Sequence, residues 1–447
     1  MLSREDNDLL TRTGPGTPMG RLMRLHWFPF MVTRELAPGA PPKRVLLLGE
    51  RLVAFRKADG AVGLLTEFCP HRLTSLYFGR NDGDGLRCAY HGWKFDADGA
   101  CLDTPSEPAE SPLKRKVRAA AYPCVERGGL IWTHMGPNAG EAALPELDWM
   151  QPPDDHRWCS RWLQDCNYAQ AMEGEVDESH VSFLHMNLTP ASSDARALGG
   201  AYLRQDRAPH YVVHETDYGL ACGSRRTVEG GRTLWRINLF MLPFFTLICP
   251  SDDPHLRIGR AWVPADDEHC WVICVSWRSD RPANPREIEA WRNGETQHRR
   301  VIPGTTTPLE RADNDYLIDR EAQRTASFSG IHGVRAQDAM AVESCGPIVD
   351  RTREHLGASD RAVIALRRRL LSAARDAAAG RAPPTARGGS VYAGRPHQAL
   401  CDDDTDFLAV VDIADESLPP QSRPTALDAG PTFIDTDRTP ARSPPDS

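Results

Sequence analysis

The feature that most constrains this chain is a pair of short motifs, each with one cysteine and one histidine. The first is Cys69-x-His71 and the second is Cys88-x-x-His91, with sixteen residues between them. The intervening stretch is long enough for a hairpin whose turn lies within residues 79–85. Two loops joined by a hairpin can bring these four side chains together, so the spacing predicts a metal site in a small β domain.

The mixture of ligands indicates which metal group this site holds. Two thiolates and two neutral imidazoles are the ligands of a Rieske [2Fe-2S] cluster, whose reduction potential lies between about -150 and +300 mV. A structural zinc site is the alternative, but zinc sites favour paired C-x-x-C or H-x-x-x-H spacings. The other ten of the twelve cysteines have no ligand-like mutual spacing, so we expect them to be buried or surface thiols.

The length of 447 residues suits two or three domains, and the sequence pattern changes along the chain. Residues 1–40 are predicted to be a lead-in segment that packs on the larger domain, with Ser3 capping a first helix. Residues 41–137 are predicted to form the all-β domain, and residues 138–380 the larger one. Residues 381–447, rich in Pro, Ala and Asp, are predicted to be a partly extended or mobile tail.

The fold class that follows is α+β. Short strands separated by Asp-Gly turns are predicted in the small domain at 44–48, 52–56, 63–66 and 129–133. Six consecutive strands, which suggest one antiparallel sheet, are predicted in the larger domain at 211–215, 220–228, 233–240, 244–249, 256–263 and 270–277. Helices are predicted at 163–188, 285–300 and 359–379.

A second metal signature lies at the start of the larger domain. His180 and His185 are five residues apart, which places them about 140° apart on an ideal helix. Both can bind one ion only if the helix bulges or ends between them, and such distortions are common at functional sites. Two His and one carboxylate bind non-haem Fe(II). Spacing alone leaves the carboxylate open among Asp313, Asp315, Asp319, Asp338 and Glu343.

Charge and composition exclude some partners. The formal net charge of -8 disfavours nucleic acid and anionic membranes, because both reward a basic surface. The first residues contain no apolar stretch and no run of 18 apolar residues occurs, so we expect a cytoplasmic protein that does not bind membranes. The chain also lacks a G-x-G-x-x-G fingerprint for NADH, which implies a separate reductase.

The first motif, with its flanking Pro70, Arg72, Tyr90, Gly92 and Trp93, resembles the Rieske motif of bacterial ring-hydroxylating oxygenases. The run 330–348 and the opening 14–20 are similar to the oxygenase (alpha) subunits of the phthalate dioxygenase branch. The similarity extends from residue 1 to about 375 and does not include the tail.

This resemblance implies a Rieske domain and a helix-grip (START-like) catalytic domain whose antiparallel sheet is covered by helices. Cys69 and Cys88 would bind one iron of the cluster, and His71 and His91 the other. His180, His185 and Asp338, the acid of the Gln-Asp pair, would bind one mononuclear Fe(II) per subunit. Asp177 would bridge His180 to His91 of a neighbouring subunit in a trimer or stacked trimers, because a carboxylate can accept hydrogen bonds from both imidazoles.

The resemblance further implies a multicomponent oxygenase that uses O2 and electrons from NADH, delivered by a flavin and iron-sulfur reductase. Cis-dihydroxylation of an aromatic acid is expected, with monooxygenation or O- or N-demethylation as the alternative. A Rieske ferredoxin is excluded by the second domain, and a zinc-containing binding protein is the alternative from another class. Arg207, Arg225, Arg226 and Arg236 are candidate carboxylate anchors, although solvated strand positions are the simpler interpretation of each.

One residue departs from the phthalate pattern. Relatives that use phthalate tend to have a small hydroxyl residue after the bridging acid, whereas this chain has Glu178. If Glu178 faces the substrate, its charge would repel a dicarboxylate. If it faces solvent, it has no such effect.

Overall fold

The computed structural model describes residues 2–188, 200–228, 230–249, 253, 255–402, 405–407 and 409–410. The larger part of the predicted tail, residues 411–447, therefore lies outside the described residues. Among the described helices, none is both long enough and apolar enough to cross a membrane.

The N-terminal segment contacts both halves of the molecule. Its elements are α1 (Arg4–Thr11), α2 (Pro18–Arg24) and β1 (Trp27–Val32). Ser3 caps α1 as predicted, by accepting a hydrogen bond from the backbone of Asp6. Both helices pack on a long helix near the C-terminus, and β1 pairs with the last strand of the small β domain. The strand β1 was not predicted, because all its residues are buried and it shows no alternation.

The small domain consists of short antiparallel strands, as predicted. Its strands and single short helix are β2 (Lys43–Leu47), β3 (Glu50–Arg56), β4 (Val62–Thr66), β5 (Arg80–Asn81), β6 (Leu86–Arg87), β7 (Lys94–Phe95), β8 (Cys101–Asp103), α3 (Leu113–Lys116), β9 (Ala121–Tyr122), β10 (Cys124–Arg127) and β11 (Leu130–His134). The sheet orders are β2-β3-β4-β9, β5-β6-β7-β8 and β1-β11-β10. The four predicted strands are confirmed, with ends shifted by at most two residues.

The larger domain is built on one eight-stranded antiparallel sheet. Its strands are β12 (Arg157–Gln164), β13 (His210–Glu215), β14 (Gly219–Val228), β15 (Arg232–Met241), β16 (Phe245–Ile248), β17 (Leu256–Pro264), β18 (Cys270–Arg278) and β19 (His397–Asp402). The order is β12-β18-β17-β16-β15-β14-β13, and β19 pairs with β15. The six predicted strands, β13 to β18, are confirmed, with ends within one residue of those expected.

Helices pack against this sheet. They are α4 (Tyr168–Val176), α5 (Gly200–Gln205), α6 (Pro285–Arg292), α7 (Arg320–Thr325), α8 (Val334–Glu343) and α9 (Arg361–Ala378). The prediction of one helix over 163–188 is wrong: residues up to Gln164 belong to β12, and α4 ends at Val176. The apolar stripe of α9, which includes Leu366 and Leu370, is buried as its periodicity predicts.

The segment after α9 returns to the sheet. His397–Asp402 forms β19, which pairs with residues 232–237 of β15. Phe407 then packs against Trp235 and covers Gly223, where a Cβ atom would lie 2.3 Å from the Phe407 ring. This part of the predicted tail therefore contributes an extended strand to the same sheet as the six predicted strands.

Candidate metal centres and the adjoining cavity

The two Cys-His motifs form neighbouring loops at one end of the small domain. The backbone N–H of Cys69 donates to Thr74 and that of Cys88 donates to Trp93, so the two loops close in a similar way. Both thiols are buried and their side chains are in contact. The imidazole rings of His71 and His91 lie with their centroids 4.6 Å apart. The structure thus brings together all four residues predicted from the spacing.

The packing around the motifs fixes one of the imidazoles. The ring of His71 stacks on that of Trp93, with centroids 4.4 Å apart and planes within 2° of parallel. The indole N–H of Trp93 donates to Ser106. Gly92, which lies between His91 and Trp93, has a φ of +76°, and a Cβ there would lie 2.7 Å from Pro105. The loop therefore requires glycine at this position.

The donor set and its spread fit a [2Fe-2S] cluster better than a single ion. Four ligands of one tetrahedral zinc would lie within about 4 Å of one another. The four Cys and His side chains do not place three or more ligand atoms within 4.8 Å of one another. Two buried thiols beside two half-buried imidazoles are the arrangement that a two-iron cluster needs.

The second centre lies where α4 ends. Asp177 is the C-cap of α4, and His180 follows in a short 3-10 turn, His180–Ser182. The chain therefore satisfies the five-residue spacing by ending the helix, which was one of the two predicted possibilities. The Nε2 atoms of His180 and His185 lie 3.1 Å apart.

The carboxylate that joins the two histidines is Asp338, from α8. Its Oδ1 lies 3.1 Å from Nε2 of His185 and 3.5 Å from Nε2 of His180. Neighbouring ligands of one octahedral ion with bonds of about 2.1 Å are separated by about 3 Å, so the three atoms fit such an ion. Of the five acids that spacing had left open, Asp338 is the one that the structure places beside both histidines.

The other four acids have different surroundings. Glu343 pairs with Arg299 and accepts a hydrogen bond from Tyr316. Asp319 caps α7, and Asp313 pairs with Arg311. Asp315 lies within the preceding 3-10 segment, Ala312–Leu317, with a φ of +50°.

Each histidine of the triad is oriented through its other ring nitrogen. The Nδ1–H of His185 donates to Oε1 of Gln337 at 2.7 Å, and the amide of Gln337 donates to the carbonyl of Ile331. Nδ1 of His180 lies 3.3 Å from Asp177. With a cation in the centre, these partners favour the tautomer that has its proton on Nδ1, which leaves the lone pair of Nε2 for the cation. The role of Gln337 was missed, although it stands beside Asp338 in the sequence.

A buried network of charges holds Asp338. Arg335 lies 2.5 Å from Oδ2 of Asp338 and 2.5 Å from Glu175, which also pairs with Arg260. Arg260 in turn donates to Gln297. This network was not predicted, because its members are distant in sequence and are ordinary charged residues when considered one at a time.

The centre attracts a positive charge. Burial opposes protonation of His180, but hydrogen bonds to Asp177 and Asp338 outweigh it and raise the pKa of His180 to about 10. Burial acts to raise the pKa of Asp338, yet Arg335 and the two histidines hold it well below its usual range. Two ionised carboxylates around two imidazoles form a binding site for a cation.

Comparisons with known proteins agree with this geometry. Residues 26–123 match the Rieske [2Fe-2S] domain family, and residues 133–408 match the family described as LigXa C-terminal domain like. The chain is 39% identical over 386 residues to the 3-chlorobenzoate-3,4-dioxygenase oxygenase subunit of Comamonas testosteroni, which covers 84% of this chain and 89% of that protein. The chain belongs to the Rieske oxygenase family.

Two further relatives illustrate the range of this family. The phthalate 4,5-dioxygenase oxygenase subunit of Pseudomonas putida is 39% identical, over 83% of this chain and 86% of that protein. The 5,5'-dehydrodivanillate O-demethylase oxygenase subunit of Sphingobium sp. is 34% identical, over 83% of this chain and 80% of that protein. Among solved structures, dicamba monooxygenase bound to dicamba is similar in fold, with a TM-score of 0.57, 21% identity, and coverage of 80% and 99%.

A Rieske oxygenase uses a Rieske [2Fe-2S] cluster and a mononuclear iron, so this chain is an oxidoreductase with two metal centres. The resemblance inferred from the motifs is confirmed, as is the α+β architecture with its Rieske domain and antiparallel sheet.

In this Rieske oxygenase a cavity of about 830 Å³ adjoins the second centre. His180 and His185 form part of its wall. Apolar side chains, among them Ile248, Leu256 and Ile258, line the side formed by the sheet. A cavity of this size, which combines an apolar surface with many polar and charged side chains, is large enough for a small molecule.

The surroundings of Glu178 differ from those predicted from the sequence. Glu178 is 3% exposed and lines the cavity, so the alternative in which it faces solvent is wrong. It pairs with Arg236, and Arg226 lies 3.7 Å away. Arg226 and Arg236 are buried, so the interpretation of these two as solvated strand residues is also wrong. Arg207 and Arg225 do not line the cavity.

Proposed function

We propose that this Rieske oxygenase is the oxygenase component of a multicomponent system that uses O2 to cis-dihydroxylate an aromatic acid. The observation that carries the proposal is the triad His180, His185 and Asp338 beside the large cavity. Two His and one carboxylate leave coordination positions of Fe(II) open for O2 while substrate occupies the cavity.

The proposed metal ligands are the residues of the two signatures. Cys69 and Cys88 bind one iron of the cluster, and His71 and His91 bind the other. His180, His185 and Asp338 bind the mononuclear Fe(II). When bound, the cluster supplies single electrons and the Fe(II) supplies the site of O2 activation.

The remaining residues of the centre act on the ligands. Gln337 and Asp177 keep Nε2 of the two histidines directed at the metal position. Arg335 holds the oxygen of Asp338 that faces away from the histidines. The apolar wall of the cavity limits water beside the metal and binds the faces of an aromatic ring.

Asp177 is proposed to link the two kinds of centre between subunits of a homotrimer. It lies at the end of α4 with 28% of its side chain exposed, while it faces His180 on one side. The loops of His71 and His91 are surrounded by exposed apolar residues, Leu73, Phe78 and Tyr90, and such a patch suits contact with another protein surface. A head-to-tail ring would bring this patch of one subunit to Asp177 of the next.

The substrate class is supported by relatives. The two relatives that are 39% identical are named for 3-chlorobenzoate and phthalate, which are aromatic acids. Demethylation is the second candidate reaction, because the O-demethylase of Sphingobium is 34% identical over most of the chain. Electrons are proposed to come from NADH through a separate flavin and iron-sulfur reductase in the cytoplasm.

The proposal is tested on protein purified anaerobically. We expect iron and sulfide contents that correspond to one [2Fe-2S] cluster and one further iron per chain, and a Rieske-type paramagnetic resonance signal after reduction. With a surrogate reductase, an aromatic acid panel should yield oxygenated product. His180→Ala should abolish the product and keep the Rieske signal, whereas the exposed His255→Ala should change neither. Product formation by His180→Ala would contradict the proposal.

A further inference from the structure

The polar cluster consists of Glu178, Arg236 and Asn238, which line the cavity, and Arg226, which contacts Glu178 but does not line the cavity. Nη1 of Arg236 lies 2.8 Å from Oε2 of Glu178, and its Nη2 donates to the carbonyl of Cys249 at 2.9 Å. The amide of Asn238 donates to the other oxygen of Glu178 at 2.6 Å. Both terminal nitrogens of Arg236 therefore have partners within the protein.

This arrangement matters because a guanidinium binds a carboxylate best through two parallel N–H groups. In Arg236 one of these groups is held by Glu178 and the other by a backbone carbonyl. Its Nε is buried without a hydrogen-bond partner, and Oε2 of Glu178 meets Nη1 as an ion pair that does not have hydrogen-bond geometry. A carboxylate from a ligand could form the two-pronged contact only by displacing Glu178.

Glu178 is the one carboxylate of this buried cluster, and both arginines interact with it. Arg226 donates to the backbone carbonyls of Glu178 and Asp206, and the carboxylate of Asp206 attracts it. The two guanidiniums thus share the buried carboxylate of Glu178, while Asp206 is half-buried. A ligand carboxylate at this wall would have to compete with Glu178 for the same guanidinium nitrogens and would lie beside its negative charge.

We propose that Glu178 is a specificity-determining residue that occupies the carboxylate position of Arg236 and so excludes substrates that present a carboxylate to this wall. This inference rests on the proposed function and refines its substrate class. The substrate meets the Glu178 wall with a neutral group, and an aromatic acid has its single carboxylate elsewhere in the cavity. Aromatic dicarboxylates are rejected.

Binding measured by calorimetry under anaerobic conditions tests this inference without turnover. The probes are benzoate, its neutral analogue benzamide, and the dicarboxylate isophthalate. In Glu178→Gln we expect the affinity for isophthalate relative to benzoate to rise at least tenfold over that of the wild type. In Glu178→Gln with Arg236→Met the ratio should return to the wild-type value. Glu268→Gln, at an exposed position that does not line the cavity, is the matched control and should leave the ratio unchanged.

A second variant keeps the test decisive if Glu178→Gln does not fold. In Arg236→Met the preference for benzoate over benzamide should stay at the wild-type value, because Glu178 already occupies Arg236. A tenfold fall in that preference would mean that Arg236 anchors the substrate, and would overturn the inference. A folded Glu178→Gln without a gain for isophthalate would do the same. Failure of every acid to yield product, with these binding ratios as expected, would reject the proposed function alone.

Discussion

Arg335 lies 2.5 Å from Oδ2 of Asp338, on the side opposite to the two histidines. Both residues belong to the first half of α8, three positions apart, so the pair forms within one helical turn. Glu175 and Arg260 continue the network behind it. The carboxylate is therefore fixed at one oxygen by a guanidinium and presents the other oxygen to the metal position.

Replacement of Arg335 tests this relationship. In Arg335→Met we expect the affinity for the mononuclear iron to fall by about 10- to 100-fold, which is the usual effect of removing a group that orients a metal ligand. The iron content after dialysis against a chelator measures the loss, and the visible spectrum of the Rieske cluster should be unchanged. The control is Arg324→Met, at a pair that is largely exposed. Full retention of iron by Arg335→Met would refute the role.

Gln337 should affect the same metal through the histidine. In Gln337→Leu the Nδ1–H of His185 loses its acceptor, so the ring can rotate or change tautomer. We expect about a tenfold loss of iron affinity, again at constant Rieske absorbance. Gln337→Glu keeps the acceptor and should bind iron more tightly than Gln337→Leu. Equal affinities in the two variants would show that the hydrogen bond to His185 has no effect.

The strands and metal-binding motifs were predictable because each depends on local spacing. The strands β13 to β18 have continuous or alternating apolar residues bounded by turn residues, and the loops of Cys69 and Cys88 are fixed by a short hairpin. The strand β12 was not predicted, because it contains the buried Arg157 and Arg161. These two residues are tolerated there since they donate to backbone carbonyls and to Glu35.

The carboxylate beside the two histidines and the charges at the cavity were not predictable from spacing. Asp338 and Glu343 share α8 and differ by five positions, so they point about 140° apart, and only the packing of α8 decides which one meets the histidines. Glu178 and Arg236 belong to distant elements, and their pairing exists only after β15 packs beside the end of α4. The family resemblance supplied Asp338, but it offered no partner for Glu178.

The close contact between Gly259 and Trp149 gives a prediction about stability. A Cβ at Gly259, in β17, would lie 2.1 Å from the ring of the fully buried Trp149. Gly259→Ala should therefore lower the free energy of unfolding by about 1–3 kcal/mol, as overpacked cores do. Urea denaturation measures the change. Gly140→Ala, where nothing lies within 4 Å of the new atom, is the control and should have little effect.

His26 connects the N-terminal segment to the turn at Thr385 and should make stability depend on pH. It is buried; its Nδ1–H donates to the carbonyl of Leu22, and its Nε2 accepts a hydrogen bond from the hydroxyl of Thr385. Burial, with a smaller contribution from His134, lowers the pKa of His26 from 6.5 to about 4. The neutral ring is therefore the form that the folded protein requires.

The sign of the effect follows from proton binding. Between pH 6.5 and about 4 the unfolded chain binds a proton at His26 and the folded protein does not, so stability falls as the pH falls through this range. The full effect is about 3 kcal/mol. His26→Gln should remove this part of the slope, which urea denaturation at a series of pH values measures. Equal slopes for the two proteins between pH 4 and 6.5 would contradict the role of His26, since the other buried histidines are common to both.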